Sequence, residues 1–112
     1  MANAYKILGQ LNPTANTQGN VYVVPAATSA VVSSILVTNQ TASNLSYSIA
    51  VMPPANYTSP AANTYYIVRG GLLPANDTVN LNFGVTLQTG SILAANASSS
   101  SVSISAFGVE IS

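Results

Sequence analysis

Leu45-Ser46-Tyr47-Ser48-Ile49-Ala50-Val51-Met52 is the stretch that decides the fold. Leu45, Tyr47, Ile49 and Val51 alternate with Ser46, Ser48 and Ala50. Side chains of a strand point to opposite faces in turn, so this period of two is a strand with one apolar face. The same rhythm returns at Val79, Leu81, Phe83, Val85 and Leu87, set against Asn80, Asn82, Gly84 and Thr86. Gly84 bends or ends that run. Between 30 and 38, Val31, Ser33, Ile35 and Val37 share one face, and Val32, Ser34 and Leu36 the other. Apolar residues on both faces predict a central strand or one covered on both sides.

Working outward, the rhythm predicts strands at 4–10, 20–24, 30–38, 45–52, 63–69, 77–83, 85–88 with 91–95, and 101–111. No segment carries the i, i+3, i+4 spacing of a long amphipathic helix. Turn residues separate the runs: Asn12-Pro13, Gln18-Gly19-Asn20, Pro25, Thr41 to Asn44, Pro53 to Pro60, Gly70-Gly71, Pro74 to Asp77, Gln88 to Ser91 and Ala97 to Ser100. In the last run, Val102, Ile104 and Ala106 fall on one parity and Phe107, Val109 and Ile111 on the other. A β-bulge near Ala106 to Gly108 reconciles the halves; alternatively the tail beyond Phe107 leaves the sheet. Seven or eight short antiparallel strands in one domain, 1–112, predict an all-β fold, a single β-sandwich. The topology is immunoglobulin-like or jelly-roll, and an immunoglobulin Cys–Trp–Cys core is absent.

Composition then restricts function. The 112 residues hold four charged side chains, Lys6, Arg69, Asp77 and Glu110, with no His, Cys or Trp and zero net charge. A thiol nucleophile, a His base, a Ser-His-Asp triad, a Cys/His metal site and a disulfide framework are therefore excluded. Two cations are too few to neutralise a phosphate backbone, so no nucleic-acid partner is expected. Calcium needs several clustered oxygens, which one Asp in a turn does not supply. No cofactor is expected. No apolar run approaches the ~20 residues of a spanning helix, so no membrane partner is expected, and no secretory signal is visible. The chain reads as a protein made in the cytoplasm. Five Asn-x-Ser/Thr sequons, at Asn39, Asn44, Asn56, Asn76 and Asn96, follow from the abundance of those residues.

Ser, Thr and Asn number 15, 10 and 12 and stand where Lys and Glu usually do. A neutral surface favours association, which predicts burial against other protein in an assembly and a homo-oligomer. Asp77 is expected to accept backbone N–H bonds in a turn. Arg69 has two readings, an ion pair across a subunit contact or an exposed side chain. Tyr22 and Tyr47 are expected in the core with their hydroxyls at a rim. Tyr65 and Tyr66, being adjacent, point to opposite faces. Tyr57, in the Pro-rich loop, is either a contact for protein or glycan or the anchor of its own loop. The candidate contact residues are Tyr5, Lys6, Tyr57, Arg69, Phe107 and Glu110, with segments 1–12 and 105–112 as contact regions. No catalytic, cofactor or metal residue is named, and no enzyme activity is expected.

Val21-Tyr22-Val23-Val24-Pro25-Ala26-Ala27-Thr28-Ser29-Ala30-Val31-Val32-Ser33-Ser34-Ile35, with Val37-Thr38-Asn39, resembles a "YxVPAxTxAVVSSIxVxN" stretch of small virion proteins of tailed bacteriophages, cyanophages among them. Tyr5 to Gln10 and Ser105 to Ile111 look similar to the two ends of those proteins. The resemblance implies a virion structural protein with a β-sandwich fold. Its leading form is a capsid decoration, or cement, protein on the capsid surface, with the major capsid protein as partner. The rival form is a tail or fibre component that meets the host surface through Tyr57 and the 53–63 loop. A small hydrolase domain is the third reading, opposed by the missing His and Cys. Attachment of so uncharged a chain is expected to change little with salt, or between about pH 5 and 9.

Overall fold

The computed structural model describes residues 3–54, 63–82 and 84–111. Nine strands run through them: β1 (Asn3–Leu11), β2 (Gly19–Val23), β3 (Ser29–Asn39), β4 (Leu45–Met52), β5 (Tyr66–Leu73), β6 (Thr78–Leu81), β7 (Val85–Leu87), β8 (Ile92–Ala97) and β9 (Val102–Ile111). A 3-10 turn, Asn63–Tyr65, precedes β5. The strands form two antiparallel sheets. The first has the order β1-β9-β3-β6, with β7 also on β3, and the second β2-β8-β4-β5.

The pairing is nested. β4 pairs β5, β3 pairs β6 and β7, β2 pairs β8, and β1 pairs β9. One long antiparallel ribbon has thus been rolled up, and the contacts β3–β9 and β4–β8 close the roll. This is the jelly-roll form of the β-sandwich. β6 and β7 are two halves of one edge. Ile35 faces Leu81 and Val32 faces Val85, so the register along this edge changes between them.

Several expected boundaries move. The strand expected at 63–69 is a 3-10 turn followed by β5 at Tyr66–Leu73. Gly70 and Gly71 lie within β5 rather than in a turn. Tyr47 pairs Gly71 and Ile49 pairs Val68, which leaves one residue of β5 bulged out. The run 85–88 with 91–95 divides at Thr89-Gly90: β7 stays in the first sheet and β8 crosses to the second. The strand expected at 77–83 is shorter, Thr78–Leu81. Phe83 lies outside the described residues.

The parity conflict in β9 is resolved by its neighbours. β9 stays in the sheet to Ile111. The extra residues are Leu8 on β1, between Ile7–Phe107 and Gly9–Ala106, and Ser33 on β3, between Val32–Gly108 and Ser34–Phe107. Two bulges therefore flank β9 where one was expected in it.

The core lies between the sheets. Val32, Ile35, Val37, Ile49, Leu73, Leu87, Leu93, Val102 and Ile104 are almost wholly inaccessible. Each such side chain contributes on the order of 1.5–3 kcal/mol of transfer free energy. A second cluster covers the outer face of the second sheet, where Tyr65, Tyr66 and Ile92 pack on Ala50, Met52 and Ala94. Tyr65 is in the 3-10 turn, so the two tyrosines share this cluster instead of pointing apart. The outer face of the first sheet carries no such cover among the described residues.

Asn39, at the end of β3, is the polar anchor of the fold and is 2% exposed. Its Nδ2 donates to the carbonyls of Ser43 (2.8 Å), Pro74 (3.0 Å) and Leu73 (3.2 Å). Its Oδ1 accepts from the N–H and the hydroxyl of Thr41, at 2.8 and 2.7 Å. One amide thus ties the β3–β4 connection to the β5–β6 connection. Asp77 takes its expected turn role: its carboxylate accepts the Thr78 N–H at 2.8 Å and its carbonyl the Asn39 N–H at 2.9 Å.

Candidate protein-contact surface

β1 and β9 bring four of the six candidate residues to one end of the first sheet. Tyr5 faces Val109, and Val109 faces Val31 on β3, so the three form one row across the sheet. On one side of it lies the row of Ile7 and Phe107, and on the other that of Asn3 and Ile111. Tyr5 is 84% exposed and Ile7 52%, while Val31, Phe107, Val109 and Ile111 are half-buried. Tyr5, Lys6, Val31, Ser33, Phe107, Gly108 and Val109 line a shallow groove there of about 310 Å³. The groove is mainly apolar. Exposed apolar surface that is contiguous, rather than scattered, marks an interaction site.

The other half of the same face is polar. Gln10 donates to Ser105 and Gln40 to Ser103, each at 3.3 Å, and the hydroxyls of Thr38 and Thr78 bond at 3.1 Å. The outer face is therefore divided, apolar at the Asn3/Ile111 end and hydroxyl- and amide-bearing at the other.

Two bare positions make the apolar end possible. A Cβ on Gly108 would lie 2.0 Å from the Val31 carbonyl oxygen, and one on Gly9 would lie 1.9 Å from that of Val21. Backbone approaches this close admit only glycine. At Gly108 the approach lets β9 follow the double bulge. At Gly9 it seats β1 against β2 of the opposite sheet.

Beneath the groove, the charges form one connected set. Lys6 Nζ pairs with Glu110 Oε1 at 2.8 Å, and the Tyr22 hydroxyl donates to Glu110 Oε2 at 2.5 Å. Tyr22 belongs to β2, so this bond crosses between the sheets. Lys6 and then Tyr22 hold the Glu110 carboxyl below its usual range. Burial, and then the bond to Glu110, push the Tyr22 hydroxyl well above the ordinary phenol value. Burial raises Tyr47 as well. Tyr22 and Tyr47 are both core residues, as their place in strands leads one to expect.

Arg69 is in a different place. It lies on β5 of the second sheet, its guanidinium 4.7 Å from the centre of the Tyr66 ring. The side chain is exposed, which is one of its two expected readings, and it makes a cation–π contact within the chain. Tyr57 lies outside the described residues. Val31, which lies outside the expected contact segments 1–12 and 105–112, completes the surface with three residues within them that were not singled out, Ile7, Val109 and Ile111. Their signal was the outward parity of β9 beyond Phe107, which becomes usable only when β9 is known to stay in the sheet. Among the described residues no three metal-ligating side chains come together, and no helix is long and apolar enough to cross a membrane.

A two-sheet jelly roll with one partly apolar sheet face that no described residue covers is the class that these features define. No family model matches the sequence, and no curated protein matches it. A chain in the structure of infectious bursal disease virus, Gx strain, is similar over 97% of this chain, with a TM-score of 0.52 and 15% identity. The match takes in 32% of that chain, so the present chain spans about a third of its length. At this identity the likeness concerns the fold: it is a β-sandwich of the kind found in that virus chain.

Proposed function

We propose that the protein is a non-catalytic structural component of a virion, a decoration protein on the capsid surface of a tailed bacteriophage. The observation that carries the proposal is the apolar half-face of Tyr5, Ile7, Val31, Phe107, Val109 and Ile111, which no other described element covers. The fold likeness to a chain of a virus, and the sequence resemblance at residues 21–39 and at both ends, support the same reading. In it the major capsid protein lies over the apolar half-face. The hydroxyl and amide half then meets solvent or the rim of the partner. The mechanism is passive. Many weak contacts are multiplied by copy number, and effective concentration raises avidity without any new contact. Charge steering plays little part, because Lys6 is already paired with Glu110.

The test is binding of purified protein to undecorated heads, read by co-sedimentation and by cryo-microscopy of the decorated particle. The expected result is density at capsomers in hundreds of copies, and at least ten-fold weaker binding by the double variant Tyr5→Ser, Ile7→Ser. Unchanged binding of that folded variant overturns the surface assignment. Density confined to the tail overturns the decoration role and favours a tail or fibre component.

A further inference from the structure

The two sheets have four edges, and three of them are blunted. β5 carries a bulge at Ile67 and another around Arg69 and Gly70, with the Arg69 cation on the strand. The β6/β7 edge is broken into pieces of four and three residues. β2 has five residues, a bulge at Val21 and Pro25 soon after its end. Bulges, charges and short strands are how proteins prevent edge-to-edge pairing. β1 differs. Asn3, Ala4, Tyr5, Lys6 and Ile7 run opposite Ile111 to Phe107 in unbroken register, all five are exposed, and no described strand pairs their far side. Its bulge comes later, at Leu8, and its one charge is turned into the pair with Glu110.

We propose that this edge binds a second copy of the chain, β1 pairing antiparallel with β1 of the other copy about a twofold axis at Tyr5. The inference deepens the reading of a virion component that assembles, and it rests on that reading only for its biological setting.

Three constraints fix the register. Opposed residues of an antiparallel pair point to the same face. Outward Tyr5 and Ile7 must therefore meet outward residues, which restricts the axis to a residue rather than the gap between two. An axis at Lys6 would set two ammonium groups directly opposite, which is destabilising. An axis at Tyr5 instead overlaps all five residues, with Tyr5 against Tyr5, Ile7 against Asn3 and Lys6 against Ala4.

Charge complementarity favours this axis. Ala4 faces Glu110 within its own chain. Lys6 of one copy thus falls in the same cross-strand row as Glu110 of the other, two strand spacings away or about 10 Å. The small Ala4 side chain between them leaves the row open. Each Lys6 then stands between two carboxylates, and the junction holds two positive and two negative groups. On the outer face, the apolar half-face of one copy continues across the seam into that of the other. The paired tyrosines supply an aromatic cross-strand contact. A strand junction of this length is at the small end of specific interfaces, so association is expected to depend visibly on concentration.

The experiment is sedimentation of the full chain from about 10 to 500 μM. Rise to twice the 11.4 kDa chain mass is expected. Adjacent residues of a strand turn their N–H groups to opposite sides. Of Ala4→Pro and Tyr5→Pro, one therefore removes an outward N–H and spares the ladder to β9. That variant is the one that keeps the thermal midpoint, and it should sediment as a monomer throughout. Since the chain has no Cys, Tyr5→Cys should cross-link on mild oxidation at least ten-fold faster than Ile7→Cys. A monomeric unaltered chain at 500 μM overturns the proposal, as does a fold-retaining Pro variant that still dimerises. Equal cross-linking rates overturn the register. Dimers that fail to bind heads leave this inference standing and overturn the decoration role; monomers that bind heads do the reverse.

Discussion

Asn39→Ala should cost about 3 kcal/mol of folding stability. The amide has two hydrogens for the carbonyls of Ser43, Leu73 and Pro74, and its oxygen serves two groups of Thr41. The Ser43, Pro74 and Thr41 groups are partly accessible, and water can replace the amide there at a net cost of roughly 0.5–1 kcal/mol per bond. The Leu73 carbonyl is buried, and losing its partner costs about 1–3 kcal/mol. For a domain of this size, 3 kcal/mol lowers the thermal midpoint by roughly 12 °C. Asn39→Asp is the sharper perturbation, because it keeps the shape and exchanges donors for lone pairs. One carboxylate oxygen would keep the two Thr41 donors, but the other would face three carbonyl oxygens at a site 2% exposed, so burial and that repulsion are expected to raise its pKa in the folded state above the unfolded value near 4. The sign follows. Below about pH 4 the protonated group can donate one bond, and the Asp variant should match or exceed the Ala variant. As pH rises above 4 the folded state must either hold a proton or bear the repulsion, and stability falls. At pH 7 the Asp variant should lie below the Ala variant by at least about 1 kcal/mol. Urea unfolding of the three proteins at pH 3 and pH 7, followed by far-UV circular dichroism, measures both differences. An Asp variant as stable as the unaltered chain at pH 7 would refute the assignment of Asn39 as a donor to these carbonyls. So would a gap between Asp and Ala that does not change with pH.

Tyr22→Phe should cost about 1.5 kcal/mol, the value of a hydrogen bond to a charged acceptor, and the same unfolding curves read it. Glu110 has a depressed carboxyl pKa, so its stabilisation is complete above the ordinary carboxylate range, near pH 4.3, and is lost as pH falls through the lower folded value. Glu110→Gln should accordingly flatten the acid limb of the stability profile below about pH 4 and leave its slope near neutrality alone; an unchanged acid limb counts against the Lys6–Glu110–Tyr22 set. Gly108→Ala places a carbon 2.0 Å from the Val31 oxygen and 3.0 Å from its carbonyl carbon. Overpacking of this kind against backbone costs about 2–3 kcal/mol, and a loss under about 0.5 kcal/mol would mean that the β3–β9 bulge is not held as described.

The period-two runs carried most of the strand content. At Leu45–Met52 the expected and observed bounds coincide, because local alternation of apolar and polar residues is itself what a half-buried strand requires. The misread places share another cause. Gly70-Gly71 has turn composition, yet it lies in β5 because Tyr47 of β4 pairs with it. Asn39 looked like one of many polar residues, and its role depends on carbonyls 34 and 35 positions away. Arg69 finds a ring three residues back, which a strand reading gives no reason to expect around a bulge.

The candidate surface divides in the same way. The two ends of the chain could be singled out from the sequence, and Tyr5, Lys6, Phe107 and Glu110 do come together. Their joining is a property of the β1–β9 ladder, more than 100 residues apart at its outer pair, Asn3 and Ile111. By itself the sequence determined that the chain is all-β, that two sheets pack, and that His, Cys and metal-thiolate chemistry is absent, since those follow from residue types and local period. Only the tertiary structure decided for the jelly roll over the immunoglobulin-like order, placed the bulges on β1 and β3, and left one sheet face without cover among the described residues. Strand order and register are set by pairing between distant segments, and a bulge reverses the faces of the later side chains of its own strand relative to an unbulged neighbour, which neither sequence shows alone.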